Sequence, residues 1–542
     1  MNTFLFGMIV SIIVYLAIGW HAGSKVRSLE DYYVAGRNAP TFLIVGTMVA
    51  SFLSTNAFIG EVGMSYSGHA PLIIIMTAIN CTGYIFGALF FGRFIRRSRA
   101  ITLPEFFGKR FTSHRMQALA GLTVVVGLTC YLLAVTWGVS LIINQVTGVS
   151  YPIAICITWL GYTIFTIYSG SRGVILTDTL MFTLFVSVGV IALYFIVDAG
   201  GGWFASVKQL AVFEDKPGII SWHGVIGGDS NWQTPQDAII WALILGVAWG
   251  VVVAVSPWQT SRYLMARDEH VVIRSACGSA IAMFFLYLVT SFGAAAINLS
   301  NPAIEPAENA MIWAAMNLMP TAAGALLVAG IFAAGLSSAS TFLSLAGFSA
   351  ANDIVGQFTD QDRQLLISRL TIVGIGLVVL GLAQILPPNV FWITYFAGPI
   401  FASSWGVVAF MSIWSKQITE AAAFWGMVAG FLGNIVTNLI VLVADVTLPV
   451  YLDPILVGSV ISLMTVLGVM RFGLVTEAQR NYREQLLITP PEELRPSEVA
   501  ITLRWPAIMM LIGIMMTFAI SHFYSRPYQA AIENQTHKEI LR

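Results

Sequence analysis

The recurrence of long apolar runs, nearly free of charge, limits this chain more than any other feature. About fourteen such segments can be counted, at roughly 3–21, 40–67, 71–95, 118–145, 150–168, 174–198, 237–262, 272–296, 318–351, 366–386, 391–414, 419–442, 453–472 and 505–524. Most approach or exceed the roughly 20 residues that carry a helix across a hydrocarbon core of about 30 Å. With 57% hydrophobic and only 10% charged residues, and a mean hydropathy of +0.80, the chain has too little charge to cover a water-facing surface. The expected fold class is therefore an all-α polytopic membrane protein of about 14 transmembrane helices, with the lipid bilayer as its first partner.

Charge placement gives an orientation. If the N-terminus lies outside, 22 of the 27 Lys and Arg residues fall in cytoplasmic loops and flanks, a group that takes in Arg172 and Arg262. An even number of crossings then leaves both termini outside. The compact loops point to a plasma membrane, a bacterial inner membrane in particular. A net charge of zero gives no reason to expect a nucleic-acid partner. Cys81, Cys130, Cys156 and Cys277 show no metal or redox spacing and read as small buried residues.

Three interruptions of the apolar pattern carry chemistry. In the run from Pro320 to Ala350, a helix would put Ser337, Ser340 and Thr341 on one face with Ser338 beside it. Hydroxyls there either let helices pack closely or replace the hydration shell of a small hard cation, which wants several oxygen ligands. Between Ala50 and Gly63 an apolar span is broken by Ser54, Thr55, Asn56, Gly60 and Glu61, where competing side-chain hydrogen bonds and glycine favour a break. A broken helix frees carbonyls that can bind cations. The third is Asp178, an acid inside a span that needs a partner: either an ion pair with Arg172 or a place on an ion path.

These residues sit within motifs that resemble the sodium:solute symporter family. They are Asp31-Tyr32-Tyr33-Val34-Ala35-Gly36-Arg37, Phe58-Ile59-Gly60, Thr102-Leu103-Pro104-Glu105-Phe106, Thr177-Asp178 and Gly335-Leu336-Ser337-Ser338, in family order along nearly the whole chain. The resemblance implies a LeuT-like core of five plus five helices in inverted repeats at 40–198 and 237–414. An N-terminal helix and loop (1–39), an extracellular loop (199–236) and C-terminal peripheral helices (415–542) would flank it. It implies sodium as coupling ion, held by the carbonyls of Ala50, Leu53 and Ala334 with the hydroxyls of Ser337 and Ser338. Some relatives use a second sodium site, whose pattern falls here on Asp178, Ser337, Ser340 and Thr341, so one or two ions are expected.

The solute site departs from the sugar carriers. The position that is Gln in a sugar-carrying relative is Ala57, and a Glu used in the next helix falls at Met76. A sugar needs many directional hydrogen bonds, which this lining lacks. Asn56, Asn80, Trp249 and Tyr395 are the remaining candidates for solute contact, with Trp249 flanked by small residues at mid-span. Glu61 would draw an ammonium group, carry a proton, or hydrogen-bond Asn80 or Tyr66. The expected function is sodium-coupled symport of a monocarboxylate, amino acid or related zwitterion. The alternatives are proton coupling, or a transporter-like sensor acting with a separate signalling partner. No enzyme constellation and no channel filter is seen.

Overall fold

The computed structural model describes residues 3–228, 230–356, 361–444, 446 and 448–540, without the side chains of 361, 362 and 538–540. Its principal helices are α1 (Thr3–Gly23), α2 (Thr41–Thr55), α3 (Ala70–Asn80), α4 (His114–Thr147), α5 (Tyr151–Ala199), α6 (Pro235–Val255), α7 (Pro257–Met265), α8 (Glu269–Ile297), α9 (Thr321–Phe348), α10 (Gln361–Ile385), α11 (Val390–Ala397), α12 (Pro399–Trp414), α13 (Glu420–Ala444), α14 (Pro454–Val469) and α15 (Pro496–Ile520). Among the described residues the only bridge outside helices pairs Ala39 with Ala266.

Eleven described helices are long and apolar enough to cross a membrane. Each of the fourteen apolar segments expected from sequence coincides with helix, two pairs of them within one long kinked stretch each. The stretches Thr41–Arg97 (57 residues) and Tyr151–Ala199 (49 residues) are each far longer than one crossing requires, while Pro454–Val469 is shorter than a full span. Each of the two long stretches is two helices joined at a kink, at Gly68 (φ +120°) in the first and at Gly170 (φ +53°) in the second, where glycine's freedom at positive φ permits the turn.

Burial separates a centre from a rim. The best window of the α9 span is 94% buried, whereas those of α1, α13 and the α15 span are 22%, 17% and 6% buried at comparable hydropathy. Apolar residues at the rim, such as Ile13, Leu370, Leu432 and Met515, therefore face outward, as lipid contact requires. α9 packs against α1, α2, α4, α5 and α10. It can do so because it is rich in Gly, Ala and Ser: a methyl group on Gly335 would collide with Val139 and Thr55.

The expected break in the second apolar segment is present. Ser54 has φ +30° and ψ −171°, a strained conformation for a residue with a side chain, and a wide helical turn over Asn56–Gly60 follows. Sequence reading took 237–262 as one continuous segment, and the structure corrects this. α6 ends at Ser256, which is extended (φ −61°, ψ 148°), and α7 restarts with Pro257 at its first position. α7 lies along α2, joined by Gln259 Nε2 donating to the Met48 carbonyl at 3.2 Å. Segment 102–112 holds a helix (Leu103–Phe111) that is capped by Thr102 and mostly buried. Arg110 within it donates to the carbonyls of Ser412 and Gln479.

Candidate functional site at two broken helices

The candidate ion ligands gather where α9 crosses α2. Ala50, Leu53, Ala334, Ser337 and Ser338 are all buried to within 1%. Ser338 Oγ donates to the Ala50 carbonyl over a long 3.4 Å, and the Leu53 carbonyl accepts the Asn56 N–H beyond the break. Close by, Thr55 Oγ1 is buried with no hydrogen-bond partner among the described residues. The weakly held Ser338 hydroxyl and the unpartnered Thr55 hydroxyl, beside carbonyls, are suitable donors for a small hard cation, while the Ser337 hydroxyl is already turned to Asp178.

The second candidate set holds a different occupant. Asp178 is fully buried, and its carboxylate accepts the hydroxyls of Thr47 and Ser337. Its cationic partner is Arg262 of α7, with Nη2 at 3.0 Å from Asp178 Oδ2. The same Nη2 donates to Thr341 Oγ1 at 3.0 Å, Nε to Thr47 Oγ1 at 3.0 Å, and Nη1 to Ser261 Oγ at 3.0 Å. Arg262, assigned from sequence to a cytoplasmic flank, is only 1% exposed. Arg172 is not the partner of Asp178: it reaches Asp31 at 3.3 Å and the Lys25 carbonyl at 2.8 Å. Ser340 turns back to the Ser337 carbonyl at 2.8 Å and gives no hydrogen bond to the carboxylate. Asp353, the acid at the far end of the α9 span, is bound by Thr102 and Gln117 at 2.7 and 2.9 Å and ties the buried 103–111 helix to α9.

The candidate solute residues lie after the α2 break, at Asn56, Ala57 and Glu61, and on α3, α6 and α11. Asn56 Nδ2 donates to Glu61 Oε1 at 3.3 Å, and Tyr287 of α8 lies beside that carboxylate. Glu61 has neither Asn80 nor Tyr66 as its partner; the Tyr66 hydroxyl instead donates to the Asn301 carbonyl at 2.7 Å and accepts the Ile304 N–H. The Tyr395 hydroxyl donates to Met76 Sδ at 2.7 Å. The Tyr395 ring lies 5.6 Å from Trp249 and stacks on Phe391 at 4.4 Å. Gly60 packs against Asn56 and Phe391, linking the two groups, and Gly250 packs against Asn80. Ala57 is buried between them in sequence and adds only a methyl group. Asn56 Oδ1, Asn80 Oδ1 and Trp249 Nε1 are buried without partners among the described residues, an arrangement that costs free energy unless a ligand or water completes it. Trp392, also aromatic and near in sequence, is 49% exposed and lines, with Tyr395 and Trp241, an open cavity beside Asn434 and Tyr451.

A model of the sodium:solute symporter family matches residues 32–430. The chain belongs to the sodium:solute symporter family. The sodium/proline symporter of Haemophilus influenzae is 27% identical over 79% of this chain and 85% of its own length. The sodium/pantothenate symporter of the same organism is 24% identical over 61% and 68%. Among solved structures, a Na+-coupled sialic acid symporter in a substrate-bound outward-open state aligns with a TM-score of 0.72 at 18% identity, over 88% of this chain and 99% of that one. Mhp1, a nucleobase-cation-symport-1 family transporter, in a closed conformation aligns with a TM-score of 0.54 at 14% identity, over 84% and 98%. The fold is that of the LeuT-like transporters. This family member is a sodium-coupled solute symporter, a multi-pass membrane transporter and not an enzyme.

Sequence reading of this symporter missed Arg262, Thr47 and Tyr287. A signal for Arg262 was present: Ser256-Pro257 restarts the helix, which carries Arg262 inward to lie along α2.

Proposed function

We propose that this symporter imports a small monocarboxylate, amino acid or related zwitterion with sodium, by alternating access about a midplane site between repeats at 40–198 and 237–414. The observation that supports this most is that one short stretch, Ala50–Glu61, carries residues of both the candidate ion set and the candidate solute set. The first set offers neutral oxygens from Ala50, Leu53, Ala334, Ser337 and Ser338. The second offers Asn56, Ala57, Glu61, Met76, Asn80, Trp249 and Tyr395, a lining of apolar and aromatic walls with few polar groups. Sodium drawing the Ala50 and Leu53 carbonyls toward α9 would fix the break that presents Asn56 to the solute. That is a direct route for coupling, because ion and solute bias the same flexible element. Glu61 and the unpartnered amides suit the ends of a zwitterion better than the many hydroxyls of a sugar. The basic-residue bias supports an orientation with both termini outside, the compact loops support a bacterial inner membrane, and segments 1–39, 199–236 and 415–542 flank the core.

The test is a thermal-shift screen of the detergent-purified protein against amino acids, carboxylates, quaternary amines and sugars, each in sodium and in potassium. Ligand binding raises the melting temperature by mass action. The expected result is stabilisation by a zwitterion or monocarboxylate in sodium only. Stabilisation by sugars alone, or equally in both salts, overturns the reading.

A further inference from the structure

We infer that Arg262 is a tethered cation that permanently fills the second ion position, so that this protein binds one sodium ion, at the Ala50–Ser338 set. The inference rests on the sodium-coupling reading above and extends it to stoichiometry.

The geometry carries it. Of Asp178, Ser337, Ser340 and Thr341, the pattern of a second ion site, all but Ser340 are brought together, and the positive charge among them belongs to the chain. The guanidinium spends all three nitrogens on oxygens of this cluster or its rim: Thr47 at Nε, Ser261 at Nη1, and Asp178 with Thr341 at Nη2, each at 3.0 Å. Thr47 closes a ring, accepting from Nε while its own hydroxyl donates to the same carboxylate. Carboxylate and guanidinium, 0% and 1% exposed, balance each other's charge, so a further cation would face a fixed positive neighbour in a dry setting. Thr341, expected as a ligand of that ion, already accepts an N–H of the guanidinium, and Ser340 is turned to its own helix. The Ala50–Ser338 set contrasts with this: among the described residues no charged group bonds its carbonyls, its one hydroxyl-to-carbonyl contact is long, and only Ser337 reaches across to the Asp178 carboxylate.

A tether has a mechanical consequence. Arg262 rides on α7, the second half of a broken helix, while Asp178 is on α5 and Thr341 on α9. A free ion would leave in each cycle, whereas the tethered one pins α7 to these two helices until the pair parts.

The experiment counts sodium directly and needs no identified solute. Radioactive sodium binding to the purified full-length protein is measured for the wild type, Ser338→Ala, Asp178→Asn, Arg262→Lys, Arg262→Ala, and the Arg262→Ala/Asp178→Asn pair. The expected counts are one for the wild type and for Arg262→Lys, with that sodium lost or at least tenfold weaker in Ser338→Ala and retained in Asp178→Asn. Arg262→Ala should bind a second sodium that the double variant does not. If Arg262→Ala does not fold, the wild type and Asp178→Asn still decide. Two sodium ions in the wild type, or a single one lost in Asp178→Asn, overturns the tethered-cation inference and leaves sodium coupling standing. No sodium bound at all overturns both.

Discussion

Removing the Asp178 charge while keeping its shape should strand a buried guanidinium. Asp178→Asn leaves Arg262 with its hydroxyl partners Thr47, Ser261 and Thr341 but without a counter-charge, at a position only 1% exposed. Breaking one half of a buried ion pair costs about 3–5 kcal/mol, whereas replacing both halves by neutral groups of similar volume is often nearly neutral. With an unfolding entropy of about 2.1 cal/mol/K per residue, a 542-residue chain has a total on the order of 1 kcal/mol/K. The single substitution should therefore lower the melting temperature by about 3–5 °C. Asp178→Asn combined with Arg262→Met should recover most of that loss. Arg262→Met alone should fall as far as Asp178→Asn in sodium-free buffer. The assay is intrinsic fluorescence melting in detergent, with 15 tryptophans as reporters. A single-variant loss below about 1 °C, or a double variant that melts at the sum of the two single losses, would refute the claim that this pair is mutually dependent.

Three further outcomes are expected. Ser338→Ala should raise the sodium concentration for half-maximal stabilisation about tenfold, roughly 1.4 kcal/mol, and leave solute binding at saturating sodium unchanged; a lowered solute affinity at all sodium levels would count against an ion-ligand role. Glu61→Gln should weaken uptake of ammonium-bearing solutes more than that of anions, measured by competition against a common substrate, and equal effects on both would remove Glu61 from recognition. Lys216, outside the spans, donates to the Tyr66 carbonyl at 3.0 Å and Asn298 Oδ1 at 2.6 Å, and burial pulls its pKa down to about 8. The released chain keeps an ordinary lysine near 10.4 and binds more protons between those values, so docking of this loop should strengthen as pH rises from about 8 to about 10. Amine labelling of Lys216 followed by mass spectrometry should titrate near pH 8, against a midpoint near 10 if the residue is solvated.

Much of this symporter was legible along the chain because bilayer physics leaves few choices. Long uncharged runs dictate membrane helices, and four hydroxyls within five residues of a span are rare enough to mark a site. The break at Ser54 could be read because Ser, Thr, Asn and Gly each weaken a helix locally. The second break, at Ser256-Pro257, was equally local but was absorbed into an apolar run, since hydropathy averages over the one residue that matters.

The partners of buried charge were a different matter. Sequence proximity offered Arg172 for Asp178, and only the packing of α7 along α2 put Arg262 there, 84 residues away. Likewise Tyr287 beside Glu61, and Tyr395 on Met76 across 319 residues, are meetings that no periodicity encodes. The sequence by itself determined the helices, the weak points within them and the family, because these depend on interactions within a turn or with lipid. Which oxygens face a free ion and which face a guanidinium was decided by the tertiary structure alone. A buried charge takes whichever partner the packing brings within about 3 Å, and that distance is set by helices far apart in the chain.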